Sequence, residues 1–134
     1  MITEIVALAD KNGLSLVPQD HSKATYSIWR NTEDCRINWD YSSVNIRNLI
    51  RAVSTPYPGA YCYYKGKKII VDKAELIDDM NFAIRQLGKI WQIIENCPRV
   101  ICGKGMLKIS RAHYKDGTAV VFDKLRINLN LEVI

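Results

Sequence analysis

Apolar residues change their spacing near residue 59, from helical periods before it to alternation after it. At the start, "TEIVALADKNG" reads as a short helix. Thr3 is its cap, Ile5, Val6 and Leu8 supply an apolar side, and Gly13 is the stop. The following "LSLVPQDHSKATYSIWRNTEDCRINWDYSS" sustains no period, and Pro18 with the polar run after it marks an extended connector. So long a connector in a small domain is often a functional or joining segment. In "SSVNIRNLIRAVST" the period returns, with Ile46, Leu49, Ile50 and Val53 at i, i+3, i+4 and i+7 and Ser42 or Ser43 as cap. Arg47 and Arg51 fall one turn apart on a neighbouring face, and Pro56 and Pro58 end the helix.

From Gly59 onward the pattern predicts strands. "AYCYY", a "KGKK" turn and "IIVDKAELI" form a hairpin, with Gly66 free to take positive φ. "GKIWQIIE", a turn at "NCPR", and "VIC" form a second pair; "GKG" leads into "MLKISRAHY". After the "KDGT" turn, "AVVF" and a tail alternating from Leu125 to Leu131 complete the strand pattern. Short strands joined by tight turns predict a mainly β (α+β) fold: a closed or nearly closed small β-barrel with one well-defined helix, preceded by an N-terminal helix and extended connector. The expected division is 1–35 for helix and connector, a join to another domain, and 36–134 for the barrel. No internal repeat is visible.

Composition changes this picture little. With 134 residues, 48% apolar and 25% charged, the chain is expected to form one core-bearing domain. No apolar run approaches the roughly 20 residues of a membrane helix, and the acidic start lacks a secretory pattern. A cytoplasmic protein without a membrane partner is the expectation. The net charge of +5 favours polyanionic partners. Cys35, Cys62, Cys97 and Cys102 lack CxxC spacing, so neither a disulfide framework nor a zinc site with His113 is expected. Cys62 and Cys102 read as buried strand residues.

Candidate chemistry is sparse. "GKG" at 103–105 precedes a strand rather than a helix and reads as a turn, not a phosphate loop. His21 beside Asp20 has no accompanying nucleophile and reads as connector. Trp29, Trp39 and Trp91 read as packing anchors. Lys65, Lys67 and Lys68 crowd one hairpin near Tyr57, Tyr61, Tyr63 and Tyr64. Such a combination either meets phosphates and bases or places lysines at a soluble turn over core tyrosines.

Several stretches carry a family resemblance: "PQDHSKATYSIWRNTEDCRINWDYSS", "IRNLIRAVSTPYPGAYCYYKGKKIIV" and "VICGKGMLKI". Together they resemble the C-terminal portion of the methionyl-tRNA formyltransferase family, and "ATYSIWRNTEDCRINW" is more similar to its sugar N-formyltransferase branch. The matching landmarks are Thr25-Tyr26, Asp34 with Ile37-Asn38-Trp39, Ile50-Arg51-Ala52 and Pro56-Tyr57-Pro58-Gly59-Ala60. Asn38 departs from the acid that commonly precedes the tryptophan. The resemblance covers residues 18–109.

The resemblance implies an OB-like barrel appended to a Rossmann-like catalytic domain that binds 10-formyltetrahydrofolate and moves a formyl group to an amine through an Asn, a His and an Asp. His21 does not match that catalytic histidine, so the chain is expected to hold no catalytic residue, cofactor or metal and to be inactive alone. The expected role is accessory: positioning tRNA or a nucleotide-linked amino sugar, or supporting assembly, beside a catalytic domain in cis or trans. Arg47, Arg51, Tyr57, Lys65, Lys67 and Lys68 are the expected substrate or polyanion surface. The rival expectation is a protein-interaction or homodimerisation module docking through the tyrosine hairpin or the tail.

Overall fold

The computed structural model describes residues 2–11, 13, 15 and 17–131. Two tight turns organise its sheet. β1 (Ala60–Tyr64) and β2 (Lys67–Ile77) meet across Lys65-Gly66, with φ of 50° and 75°. Two successive positive φ values match the twist of a hairpin, and Gly66 takes one of them without steric cost. β3 (Ile90–Ile94) and β4 (Cys97–Ile101) meet across Glu95-Asn96, with φ of 50° and 60°.

The second turn therefore lies earlier than the expected "NCPR", and Pro98 is inside β4. Ile94 and Cys97 close the turn and Pro98 faces Ile93, so the missing N–H points away from β3. On that other side, pairing with β5 begins only at Arg99. The proline thus removes no ladder bond.

β5 (Met106–Tyr114) pairs along most of β2, giving the antiparallel order β1-β2-β5-β4-β3. The expected "GKG" turn does join β4 to β5. Strand character ends there: "AVVF" and the alternating tail form no ladder strands, only bridges of His113 with Ala119 and Lys89 with Asn128. Arg126, at φ 63°, interrupts the extended backbone that a strand needs.

The sheet is consequently open rather than a closed barrel, but the tail spans its two edges. Tyr63 N–H of β1 donates to Leu129 C=O at 3.0 Å. On the opposite edge, Ile90 N–H donates to Ile127 C=O and Arg126 N–H to Ile90 C=O, both at 3.0 Å. Side chains hold the tail on its way there. Asn96 accepts from Phe122 N–H at 2.7 Å and donates to Val120 C=O at 3.1 Å. Leu129, Phe122 and Val120 join the core around Ile69, Val71, Leu107 and Ile109.

α2 (Ser43–Ala52) packs on β2 through Ile46, Ile50 and Val53, as its period predicts. The Ser42 hydroxyl caps it by accepting from Asn45 N–H at 3.2 Å. Its start is tied to the β4–β5 loop by Ser43 N–H to Lys104 C=O, 2.8 Å, and its end to the β1 entry by Gly59 N–H to Val53 C=O, 2.9 Å.

Just before α2, Cys35, Ile37 and Trp39 are buried while Arg36, Asn38 and Asp40 face out. Ile37 N–H donates to Tyr61 C=O at 2.8 Å, so this short extended piece shields the outer side of β1. Upstream of Cys35 the packing stops. α1 (Ile2–Asp10) buries no residue, and Thr3 lies within it rather than capping it.

Of the three tryptophans, only Trp39 is the expected anchor. Trp29 is 100% exposed on the unpacked connector, and Trp91 is 48% exposed on the edge strand β3, with Phe82 against it edge-on at 5.3 Å. Cys62 and Cys102 are buried as expected. Among the described residues no helix is long and apolar enough to cross a membrane, and no cluster of His, Cys, Asp or Glu suits a metal ion.

Candidate functional site

The six residues expected to face a polyanion fall into three groups. Arg47 and Arg51 share one flank of α2, on the opposite side from Asn45, Asn48 and Leu49. Arg51 is exposed, whereas the Arg47 Nε is shut off from solvent without a hydrogen-bond partner. Tyr57 is 66% exposed on the loop between α2 and β1. Lys65, Lys67 and Lys68 share the β1–β2 hairpin. Among the described residues, no hydrogen bond, ion pair or ring contact joins the three groups.

The hairpin lysines have different surroundings. Lys65 Nζ lies 2.6 and 2.8 Å from the two carboxylate oxygens of Asp123, so its charge is matched within the fold. Lys65 and the Tyr64 hydroxyl together hold the Asp123 carboxyl down at about 2. Lys67 is exposed at the start of β2 and lies near Asp116, whose carboxyl is lowered chiefly by the Thr118 backbone N–H. Lys68 has no carboxylate partner among the described residues. Its Nζ sits 3.6 Å from the centroid of the Tyr61 ring, a cation–π contact.

Sequence reasoning missed Arg36. Its guanidinium lies 5.3 Å over the Tyr63 ring, and Nη2 donates to Asn130 C=O at 3.1 Å. Tyr61 and Tyr63 meet edge-on at 6.1 Å. One outward side of β1 thus carries a row of Lys68, Tyr61, Tyr63 and Arg36. The tyrosines are buried beneath the two cations, 7% and 8% exposed, so they support charge rather than offer open stacking faces. A usable signal was present, since the alternation of Cys35, Ile37 and Trp39 turns Arg36 outward.

Arg36 also belongs to a groove of about 860 Å³ between the connector and α2, lined by Arg30 and the acids Glu33 and Asp34, by Asn38, Asn45 and Asn48, and by Ile46 and Leu49. A second groove of about 840 Å³ lies along the connector at Trp29, Ala52, Val53, Tyr57 and Pro58. Both grooves have one wall made of the unpacked connector, where Tyr26 is 90%, Ile28 87% and Trp29 100% exposed.

This arrangement can place positive charge and apolar surface. His21 lies in a short 3-10 turn whose cap, Asp20, accepts from Ser22 N–H and Oγ rather than from the imidazole. His113 is on β5, with Nδ1 2.8 Å from Asp72. Neither histidine lines either groove.

Comparison with known proteins agrees with this fold. The formyl transferase C-terminal domain family matches residues 30–124. A methionyl-tRNA formyltransferase of Alkaliphilus oremlandii (strain OhILAs) is 27% identical over 114 residues, covering 85% of this chain and 36% of the relative. One from Carboxydothermus hydrogenoformans (strain ATCC BAA-161 / DSM 6008 / Z-2901) is 45% identical over 76 residues, covering 57% of this chain and 24% of the relative. The chain therefore spans a quarter to a third or so of these relatives' lengths. The likeness to the sugar branch rests on the sequence stretch alone.

HypX from Aquifex aeolicus in complex with tetrahydrofolic acid shares the fold at a TM-score of 0.57 and 13% identity, over 89% of this chain and 20% of that one. The family match takes in the buried row at Cys35–Trp39, α2 and all five strands. This chain belongs to the formyl transferase C-terminal domain family.

Proposed function

We propose that this domain is a non-catalytic accessory domain of a 10-formyltetrahydrofolate-dependent formyltransferase, docked on its catalytic domain in cis or trans through α1 and the connector. The observation that carries this reading is the unspent apolar surface upstream of Cys35. Ile2, Ile5, Val6, Leu8, Tyr26, Ile28 and Trp29 are 48% to 100% exposed, while the domain downstream has a complete core of its own. A run of exposed apolar groups on one segment marks an interaction surface. In this reading the folate and the catalytic groups belong to the catalytic domain.

The substrate-facing part is the Lys68–Arg36 row, continued by Arg30 in the groove beside α2; Arg47 and Arg51 lie on the other flank of that helix. The row's job is electrostatic positioning of a phosphate-bearing substrate, either tRNA or a nucleotide-linked amino sugar. Lys65 contributes less because Asp123 matches its charge. A dimerisation role has weaker support: Tyr61, Tyr63 and Tyr64 are buried, and the tail is already bonded to both sheet edges.

The test follows formyl transfer to aminoacyl-tRNA and to a nucleotide-linked amino sugar. It uses the catalytic domain of a methionyl-tRNA formyltransferase, the 134-residue chain, and both together. The chain alone should transfer nothing, and its addition should raise kcat/KM. Changing Arg36 and Lys68 to Ala should raise KM and flatten the salt dependence by about 0.7–0.9 per lost phosphate contact. Transfer by the chain alone, or no effect of adding it, would overturn the reading.

A further inference from the structure

The tail does more than span the two sheet edges: it also holds one cation of the Lys68–Arg36 row. Arg36, in the extended piece before α2, bridges to Tyr61, yet its guanidinium crosses to the ring of Tyr63, 5.3 Å from the centroid. There Nη2 donates to Asn130 C=O at 3.1 Å. Lys68 makes the mirror crossing. It pairs with Tyr63 across the hairpin and seats its Nζ 3.6 Å from the centroid of the Tyr61 ring. Arg36 is thus fixed by a residue 94 positions away, and Lys68 by its own hairpin.

A short chain of hydrogen bonds sets the Asn130 carbonyl. Leu129 C=O accepts from Tyr63 N–H at 3.0 Å and Leu129 N–H donates to Gly88 C=O at 2.9 Å, which anchors the tail beside β1. Asn130 N–H then turns back to Asn128 Oδ1 at 2.9 Å. Such an Asx turn holds the backbone that presents the Asn130 carbonyl. Gly88 makes room for it, since a Cβ there would stand 3.0 Å from both Asn128 Oδ1 and Asn130 Nδ2.

A long side chain already held in one place loses little freedom when an anion arrives. The bond to Asn130 occupies one Nη2 hydrogen, and the other guanidinium N–H groups have no hydrogen-bond partner among the described residues.

We propose that Asn128 is a positioning residue for phosphate binding: its side chain holds the tail turn that fixes Arg36 for an incoming phosphate. The inference rests on the reading of the Lys68–Arg36 row as the substrate-facing surface. It adds that the tail assembles that surface, so that Asn128 acts through Arg36 and not through Lys68.

The test titrates the 134-residue chain with inorganic pyrophosphate at low salt, following the Arg36 Nε–H and the Lys68 side chain by NMR. Both should shift in the parent. Asn128→Ala should weaken binding about threefold, do so again in a Lys68→Ala background, and change nothing in an Arg36→Ala background. A general loosening of the fold would lower binding in all three. Asn128→Ser keeps an oxygen at the turn and should bind like the parent. In the free parent the Arg36 Nε–H should be more ordered, by nitrogen relaxation, than that of exposed Arg51, which keeps the test decisive where Asn128→Ala fails to fold. Equal order at the two arginines, no loss in Asn128→Ala, or a loss that persists without Arg36 would overturn the proposal while the row still binds pyrophosphate. A parent in which pyrophosphate shifts neither Arg36 nor Lys68 would overturn the row itself, and this inference with it.

Discussion

Replacing Tyr64 by phenylalanine removes one oxygen and leaves its ring in place against Phe122, 5.0 Å away. That oxygen makes three hydrogen bonds. The hydroxyl donates to Asp123 Oδ1 at 2.7 Å and accepts from the N–H groups of Asp123 and Lys124, both at 3.0 Å. It is the knot that fixes the tail to the first hairpin before the tail reaches both sheet edges. Each bond is worth roughly 1 kcal/mol net. Asp123 and Lys124 are exposed, so water can serve their N–H groups in part, and the expected loss is about 1–2 kcal/mol. For a chain of this size that lowers Tm by about 4–8 °C. Urea and thermal unfolding measure the loss, and amide exchange locates it. The Tyr63 and Leu129 N–H groups, bonded across the tail at 3.0 and 2.9 Å, should speed up more than the Leu107 amide in mid-sheet. Stability within about 0.3 kcal/mol of the parent, a margin typical of an inconsequential surface change, would refute the role of the tail as the element that joins the two edges.

Other outcomes can be checked independently. Asp123 is lowered to about 2 by Lys65 and Tyr64, and Asp79 and Glu75 are lowered chiefly by Arg85 and Lys108. Folded values below unfolded ones give stability that is complete above about pH 5 and declines as pH falls toward 2. Urea midpoints across that range should show the decline, and Asp123→Asn should flatten it. Gly103→Ala should cost about 3 kcal/mol by chemical denaturation, because the new Cβ would run into the Asp40 carbonyl, and the Gly103 N–H bonds to Trp39 and Tyr41 would have to shift. Thiol labelling at pH 8 should reach Cys97 first. Burial raises the Cys102 thiol to about 12 and the Cys62 thiol higher still, and Cys35 is buried. Mass spectrometry should find one label on the native chain and four after denaturation.

α2 and the first hairpin were legible because local chemistry decides them: a four-position apolar stripe under a serine cap, and a Lys-Gly turn between alternating runs. Turn chemistry without glycine was not legible. Asn96 takes positive φ in the second hairpin, as asparagine does readily, and its side chain also holds Val120 and Phe122, a long-range tie absent from the local pattern. The tail alternates like a strand, yet it spans two edges that face away from each other and so turns at Arg126 instead of extending. Among the charged residues, the lysines of the hairpin stood out by crowding. Their division into the matched Lys65 and the ring-seated Lys68 depends on Asp123, 58 residues away from Lys65. Arg36 looks like an ordinary surface cation until the strand register places it over Tyr63.

Docking through the upstream segment is most directly tested at Trp29, which is 100% exposed here. In a Trp91→Phe background, leaving buried Trp39 as the internal standard, the chain is titrated with the catalytic domain of a methionyl-tRNA formyltransferase while acrylamide quenching is recorded. The expected result is a saturable loss of quenching with a blue shift of emission, both absent in Trp29→Ala. An indole that stays fully quenchable while the mixture transfers formyl groups would contradict the account.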